Sequence, residues 1–361
     1  MNLLTPFRDP ALARGQTAAI VRTVRDHPRR ITLMEVCGTH TMAICQHGLR
    51  ALLPPQVRLI SGPGCPVCVT PVGYVDHAVA LARRPQTLIA TFGDMVRVPG
   101  SSSSLQREQA RGADIRVVYS PLDAVALAEK HPERSVIFLG VGFETTAPTV
   151  AGAIVTAARK GVGNFFVLCA HKTIPTPLAV LAGDPELQID GFLCPAHVSA
   201  IIGADAYRTL AGRYAVPCVI TGFEPLDILQ GVLMLVRQAV AGRAEVETQY
   251  RRVVRPAGNP RAQALLAEVF EPGPARWRGL GEIPGSGLSL RPAYAAFDAA
   301  RLPVAVEPPR EPAGCRCGEI LKGQIRPSDC PLFGSACTPE QPVGACMVSS
   351  EGTCAAEYRY G

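Results

Sequence analysis

The chain has 361 residues, of which 47% are hydrophobic and only 18% charged, against about 25% charged in an average soluble domain. A chain of this length and apolar content can bury two or three domain cores, which excludes a disordered or fibrous protein. The net charge of +6, from 36 basic and 30 acidic residues, is spread over pairs such as Arg29-Arg30, Arg83-Arg84 and Arg251-Arg252. No basic stripe interleaved with aromatics emerges, so nucleic acid is not expected as a partner. No apolar run approaches the roughly 18 residues that cross a bilayer, so no membrane is expected either. The first ten residues lack the basic start, apolar core and small-residue cleavage site of a leader, and a cytoplasmic protein is expected. In that reducing setting 13 cysteines, an odd number, point to metal or thiol chemistry and not to disulfide staples.

In chain order, short runs rich in Val, Ile, Leu and Phe predict strands at 31–36, 57–61, 87–92, 115–119, 135–141, 164–170, 191–193 and 217–221. Helix-period segments between them predict helices at 40–52, 73–82, 105–112, 121–130, 146–160, 204–212 and 225–242. Continuous apolar strands alternating with helices mean parallel sheet covered on both faces, so the fold class is α/β with two open parallel-sheet domains. Val141-Gly-Phe-Glu144 and Thr221-Gly-Phe-Glu224 echo one another, each after a strand and before a helix. The expected division is an α/β domain over 1–120, a second over 121–245, a helical and linker region over 246–314, and a Cys-rich region over 315–361. Prolines and glycines fill that last segment along with six cysteines. It cannot build an ordinary apolar core and is expected to fold around a metal centre.

In open parallel sheets, ligands bind beyond the carboxyl ends of the strands, and the reactive residues fall there. The strand at 31–36 runs into Cys37-Gly-Thr-His-Thr41, and that at 57–61 into Gly62-Pro-Gly-Cys-Pro-Val-Cys68. The next domain is expected to supply Glu144, His171, Cys194, His197 and Glu224 to the same cleft. Cys37 opens a helix, where amide dipoles favour a thiolate, and His40 beside it is a candidate base or supporting donor. Cys65 and Cys68 have the spacing of a reversible disulfide or of two ligands to one metal. Cys45, Cys169 and Cys218 read as core, and Glu144 and Glu224 read equally well as helix caps. Phosphate-cradling motifs are absent. In the tail, Cys315-x14-Cys330-x6-Cys337-x16-Cys354 offers four thiolates, enough for an iron–sulfur cluster. Cys317 and Cys346 are left as spare or alternate ligands, with Cys317 the real competitor to Cys315. Structural zinc is the competing reading, but it favours two tight Cys-x2-Cys pairs that this tail lacks.

Six stretches, in order along nearly the whole chain, resemble the hydrogenase maturation factor HypD family. They are Met34-Glu-Val-Cys-Gly-Thr-His-Thr41, Ser61-Gly-Pro-Gly-Cys-Pro-Val-Cys-Val-Thr70, Val141-Gly-Phe-Glu-Thr-Thr-Ala-Pro148, Thr221-Gly-Phe-Glu-Pro-Leu-Asp-Ile228, Trp277-Arg-Gly-Leu-Gly-Glu-Ile-Pro284 and Cys346-Met-Val-Ser-Ser-Glu-Gly352. The resemblance implies a scaffold that assembles the Fe(CN)2CO centre of nickel–iron hydrogenase. Its implied partners are the small chaperone HypC and the cyanide donor HypE, charged with HypF. It also implies Fe(II) held by Cys37 with Cys65 and Cys68 as a nearby thiol pair, and a [4Fe–4S] cluster in the tail. The alternative is a dithiol–disulfide oxidoreductase similar to ferredoxin:thioredoxin reductase, which leaves Cys37 and its Gly-Thr-His-Thr setting unexplained.

Overall fold

The computed structural model describes residues 4–361; residues 1–3, where the stretch read for a leader begins, lie outside it. All eight expected strands form, and every one pairs in parallel. In chain order they are β1 (Ile31–Glu35), β2 (Val57–Ser61), β3 (Thr87–Thr91), β4 (Asp114–Val117), β5 (Ser135–Gly140), β6 (Phe165–Cys169), β7 (Gly191–Pro195) and β8 (Cys218–Thr221). A short β9 (Val246–Thr248) adds to the edge beside β8. Burial on both faces explains their unbroken apolar sequences: β3 and β7 are buried at every position.

The strands divide into a sheet of order β2-β1-β7-β8-β9 and a sheet of order β4-β3-β5-β6. Numbered within each sheet, both begin 2-1-3-4, so the two domains share one doubly wound order. The division of the chain is not sequential, however. A boundary at residue 120 would put β3 and β4 with β1 and β2, whereas β3 pairs with both β4 and β5, and the chain returns to the first sheet at β7. The second sheet is inserted whole between β2 and β7. Equal strand patterns in both sheets conceal such an excursion, because an αβ crossover has the same period whichever sheet it ends in.

Apolar side chains from both sheets, including Met34, Ile137, Leu168, Phe192 and Ile220, form a core between them. A second core lies under the helix Ala147–Lys160 on the far face of one sheet, and a third under the helices Pro10–Val24 and Pro225–Val240 on the far face of the other. The helix expected over 40–52 is broken by Gly48, whose φ of 60° ends Gly38–Gln46 and starts Leu49–Leu52. Where a linker was expected, the helix Pro260–Val269 leads into an antiparallel hairpin of β10 (Phe270–Trp277) and β11 (Gly281–Leu290). Its prolines and glycines read as coil, yet a two-stranded ribbon tolerates them because its outer edges need no donors. Trp277 anchors the ribbon. Its ring stacks 6.0 Å from that of Phe143, and its indole N–H donates to Ser286. The Cys-rich segment folds as short helices and turns, and its last helix, Thr353–Tyr360, packs on Gly38–Gln46. Among the described residues, no helix is long and apolar enough to cross a membrane.

Candidate functional site

In the doubly wound order the crevice for ligands opens where the sheet reverses direction, between its first and third strands. In the first sheet that point lies between β1 and β7, and Cys37 stands just beyond β1 as the N-cap of Gly38–Gln46. The turn after β2 crosses directly over it. The Gly38 amide donates to the Gly64 carbonyl at 3.0 Å, and the Gly62 amide to that of Glu35 at 2.8 Å. A Cβ on Gly64 would lie 2.2 Å from the Cys37 nitrogen, so only glycine fits the crossing. Cys65 follows at once and caps the short helix Pro66–Val69. Its partner Cys68 is joined to it as a disulfide, with the Cα atoms 5.2 Å apart. The three cysteines expected at the site are thus brought together, all at most 9% exposed.

Burial changes the chemistry expected of Cys37. Loss of water pushes its thiol up to about 12, and the carboxylates of Glu351 and Glu35 push the same way; the amides of His40 and Thr39 pull downward and are outweighed. The free thiol is therefore protonated at neutral pH, opposite to the expectation from its helix-start position. Glu35 accepts from the Cys37 amide at 3.2 Å and from the Thr41 hydroxyl at 2.6 Å, and burial raises its carboxyl to about 7. Thr39 donates to Glu351 at 2.7 Å, and a Cβ on Gly38 would meet Glu351, so the C-terminal segment closes one side of the site. Glu35 and Glu351 escaped the reading of the sequence. Glu351 lies 312 residues from Thr39, and only its place in the last family-like stretch marked it.

His40 is a positioning group. It is 1% exposed, and burial lowers its pKa to about 4, so its ring is neutral. Nε2 lies 3.0 Å from the Gly222 carbonyl and 3.2 Å from that of Thr221, both acceptors, which places the proton on Nε2. The ring thereby ties the Cys37 loop to the turn after β8. His197, after β7, packs its ring 4.2 Å from Phe223 in that turn. His197 and Glu224 therefore belong to the same sheet as Cys37 and not to the other domain as expected; Glu224 is engaged by Arg8 at 2.5 Å. Cys194 is enclosed in the core beside Cys218. Glu144 and His171 stand at the end of the other sheet, buried, where Glu144 accepts from the Ile174 amide at 2.9 Å. Burial raises the Glu144 carboxyl to about 7 and lowers His171 to about 3.

Cys315, Cys330, Cys337 and Cys354 all line one small cavity, and so do Cys317 and Cys346. Cys317, the competitor to Cys315, meets the alternate Cys346 there, with sulfurs 2.7 Å apart. Hydrogen bonds from Cys315 and Cys346 hold the Cys317 thiol well below its ordinary range. Among the described residues no three thiol, imidazole or carboxylate groups already surround one point closely enough for a single ion. The six cysteines share the cavity wall with Ile320, Leu332, Phe333 and Met347, a soft, largely apolar lining whose thiols match the donor set of an iron–sulfur group.

These features define a class: twin doubly wound α/β domains with a buried thiol and a thiol pair at one reversal point, backed by a cysteine-lined cavity. The chain belongs to the HypD family. The HypD family model, described as "Hydrogenase formation hypA family", matches residues 12–361. The chain is 51% identical over 362 residues to the hydrogenase maturation factor HypD of Escherichia coli (strain K12), covering all of this chain and 95% of the relative. It is 49% identical over 374 residues to the HypD of Rhodobacter capsulatus, covering all of this chain and 98% of that one.

The crossing over Cys37 predicts that Gly64→Ala costs about 1–3 kcal/mol, the range for forced overpacking. Gly163→Ala, with nothing within 4 Å of the new Cβ, is the control. Chemical denaturation of both variants checks this, and equal midpoints would contradict the seam. The buried ionisable groups predict an unusual acid profile. Between about pH 4.5 and 6.5 the unfolded chain takes up protons on His40 and His171 that the fold refuses, which destabilises the fold as pH falls. Over the same window the fold keeps protons on Glu35 and Glu144 that the unfolded chain releases, which offsets that loss. Below 4.5 only the histidine effect remains, joined by loss of the Arg83–Glu108 pair, whose carboxyl is held at about 2. His47, His77 and His197, whose pKa values burial also lowers, add to the decline. Denaturation midpoints are therefore expected to fall gently from pH 6.5 to 4.5, less than the buried histidines alone would give, and to keep falling below it. A steady two-proton decline from pH 6.5 would show that the two carboxyls are ionised.

Proposed function

We propose that this chain is the scaffold on which the Fe(CN)2CO centre of nickel–iron hydrogenase is assembled, holding iron jointly with the chaperone HypC while cyanide and CO are attached. HypE, charged with HypF, is the proposed cyanide donor. The reading is carried by one observation: in a chain of this family, the lone thiol at the reversal point lies under the turn that bears the Cys65–Cys68 pair. Iron is the cargo. Cyanide and CO favour low-spin ferrous iron, which soft thiolate holds well.

Capture of Fe(II) by Cys37 displaces its thiol proton, so binding tightens as pH rises. The Thr39 and His40 amides then stabilise the thiolate that forms. Breaking an S–CN bond consumes two electrons and one proton, giving a thiol and cyanide. The Cys65–Cys68 dithiol supplies both electrons as it closes to a disulfide, releasing two protons, one of which goes to the new thiol. A [4Fe–4S] cluster held by Cys315, Cys330, Cys337 and Cys354 would supply single electrons when bound. The convergence of these thiols on one cavity is what supports that cofactor.

Cys37→Ser keeps the size of the side chain but offers an oxygen that stays protonated at neutral pH. The variant is expected to fold, to keep its cluster, and to lose the infrared bands of iron-bound cyanide and CO in its complex with HypC. Hydrogenase maturation should stop with it. Wild-type bands in the variant would move the iron to Cys65 and Cys68. Separately, Cys330→Ala and Cys337→Ala are each expected to lower bound iron and inorganic sulfide and to loosen the last 47 residues (315–361). A full complement of iron and sulfide in both variants would overturn the ligand assignment.

A further inference from the structure

The turn joining β10 to β11 bridges the two sulfur sites. On one side the Arg278 amide donates to the Val69 carbonyl at 2.9 Å, and its Nε donates to that of Thr70 at 3.1 Å, immediately after Cys68. On the other side a Cβ on Gly279 would lie 2.4 Å from the Gly318 Cα, immediately after Cys317. Between these contacts the Arg278 guanidinium is 5% exposed, and its Nη2 is buried with no hydrogen-bond partner. Its carboxylate partner, Glu311 at 2.5 Å, has a side chain 60% exposed, so water screens that charge far more than it screens the buried cation.

We infer that Arg278 is a shared positioning residue, whose buried positive charge favours the reduced state of both the Cys65–Cys68 pair and the cysteine-lined cavity while its backbone fixes their separation. Reduction adds negative charge to the cluster directly, and to the pair only where one of its thiols ionises; a fixed cation nearby stabilises the reduced cluster and the thiolate form of the reduced pair. The same charge contributes to holding the Cys317 thiol low. Sequence proximity would not reveal this role, since Arg278 stands 208 residues from Thr70. The inference rests on the cluster reading for one of its two readouts and is independent of it for the other.

The test compares Arg278→Gln and Arg278→Lys with the wild-type full chain. The first readout is potentiometric titration of the iron–sulfur signal by electron paramagnetic resonance. The second is the dithiol–disulfide equilibrium of Cys65–Cys68 in glutathione buffers, followed by thiol trapping. Arg278→Gln is expected to lower the reduction equilibrium constant of the cluster about tenfold, about 59 mV for one electron. It should lower that of the pair about threefold in buffers alkaline enough to ionise one of its thiols. Arg278→Lys keeps the charge and should recover most of both shifts, although it loses the Thr70 contact as the glutamine variant does. Wild-type values in the glutamine variant at both sites would overturn the inference, as would equal shifts in the two variants. Should wild-type protein hold no iron and sulfide, the cluster reading fails, and the dithiol equilibrium alone decides the role of Arg278.

Discussion

Nothing larger than hydrogen fits where the turn after β2 passes over the end of β1. Gly64 meets the backbone of Val36 and Cys37, and the Gly38 amide closes on the Gly64 carbonyl. The constraint is backbone against backbone, so no rearrangement of side chains relieves it. Everything reactive in the first sheet is placed by it. Cys37 is held at the reversal point of the strand order, and the thiol pair is carried in on the next residue of the crossing turn. The C-terminal segment closes the remaining side through Glu351.

Burial determines how this arrangement behaves. Desolvation first, then the carboxylates of Glu351 and Glu35, raise the buried Cys37 thiol and outweigh the amides of His40 and Thr39 that lower it. Such a thiol is a poor nucleophile and an inert redox partner on its own. A cation that displaces its proton reverses the balance, since the same carboxylates then face positive charge. On the proposed reading, that reversal is what favours a metal over other electrophiles at this thiol. The neutral ring of His40 serves the same end without taking part, because it spends its one N–H on the turn after β8.

Strands were legible because parallel strands buried on both faces leave continuous apolar runs, and all eight appear within two residues of their expected positions. The excursion of the chain into the second sheet was not legible, since sheet membership depends on pairings far apart in sequence, such as Leu33 with Gly191. The hairpin was hidden by Pro272, Pro274 and Pro284, which an exposed ribbon edge accommodates. Cys37, Cys65 and Cys68 were legible from their place after strands, and the tail cysteines from their number. The ionisation of Cys37 was misjudged, because a local argument from the helix dipole omits the desolvation that only the packed fold imposes. The contact of Cys317 with Cys346 was not legible for a related reason, since spacing along the chain does not encode which sulfurs meet.

The central claim is that Cys37 itself carries the iron. Replacement of Cys37 by selenocysteine places a spectroscopic label on the one atom in question and retains a soft ligand. Selenium K-edge X-ray absorption of the iron-loaded complex with HypC then reads the neighbours of that atom directly. The account predicts an iron atom in the first shell of the selenium, alongside its own carbon. A selenium bonded to carbon alone, in a complex that still shows iron-bound cyanide and CO in the infrared, would contradict it.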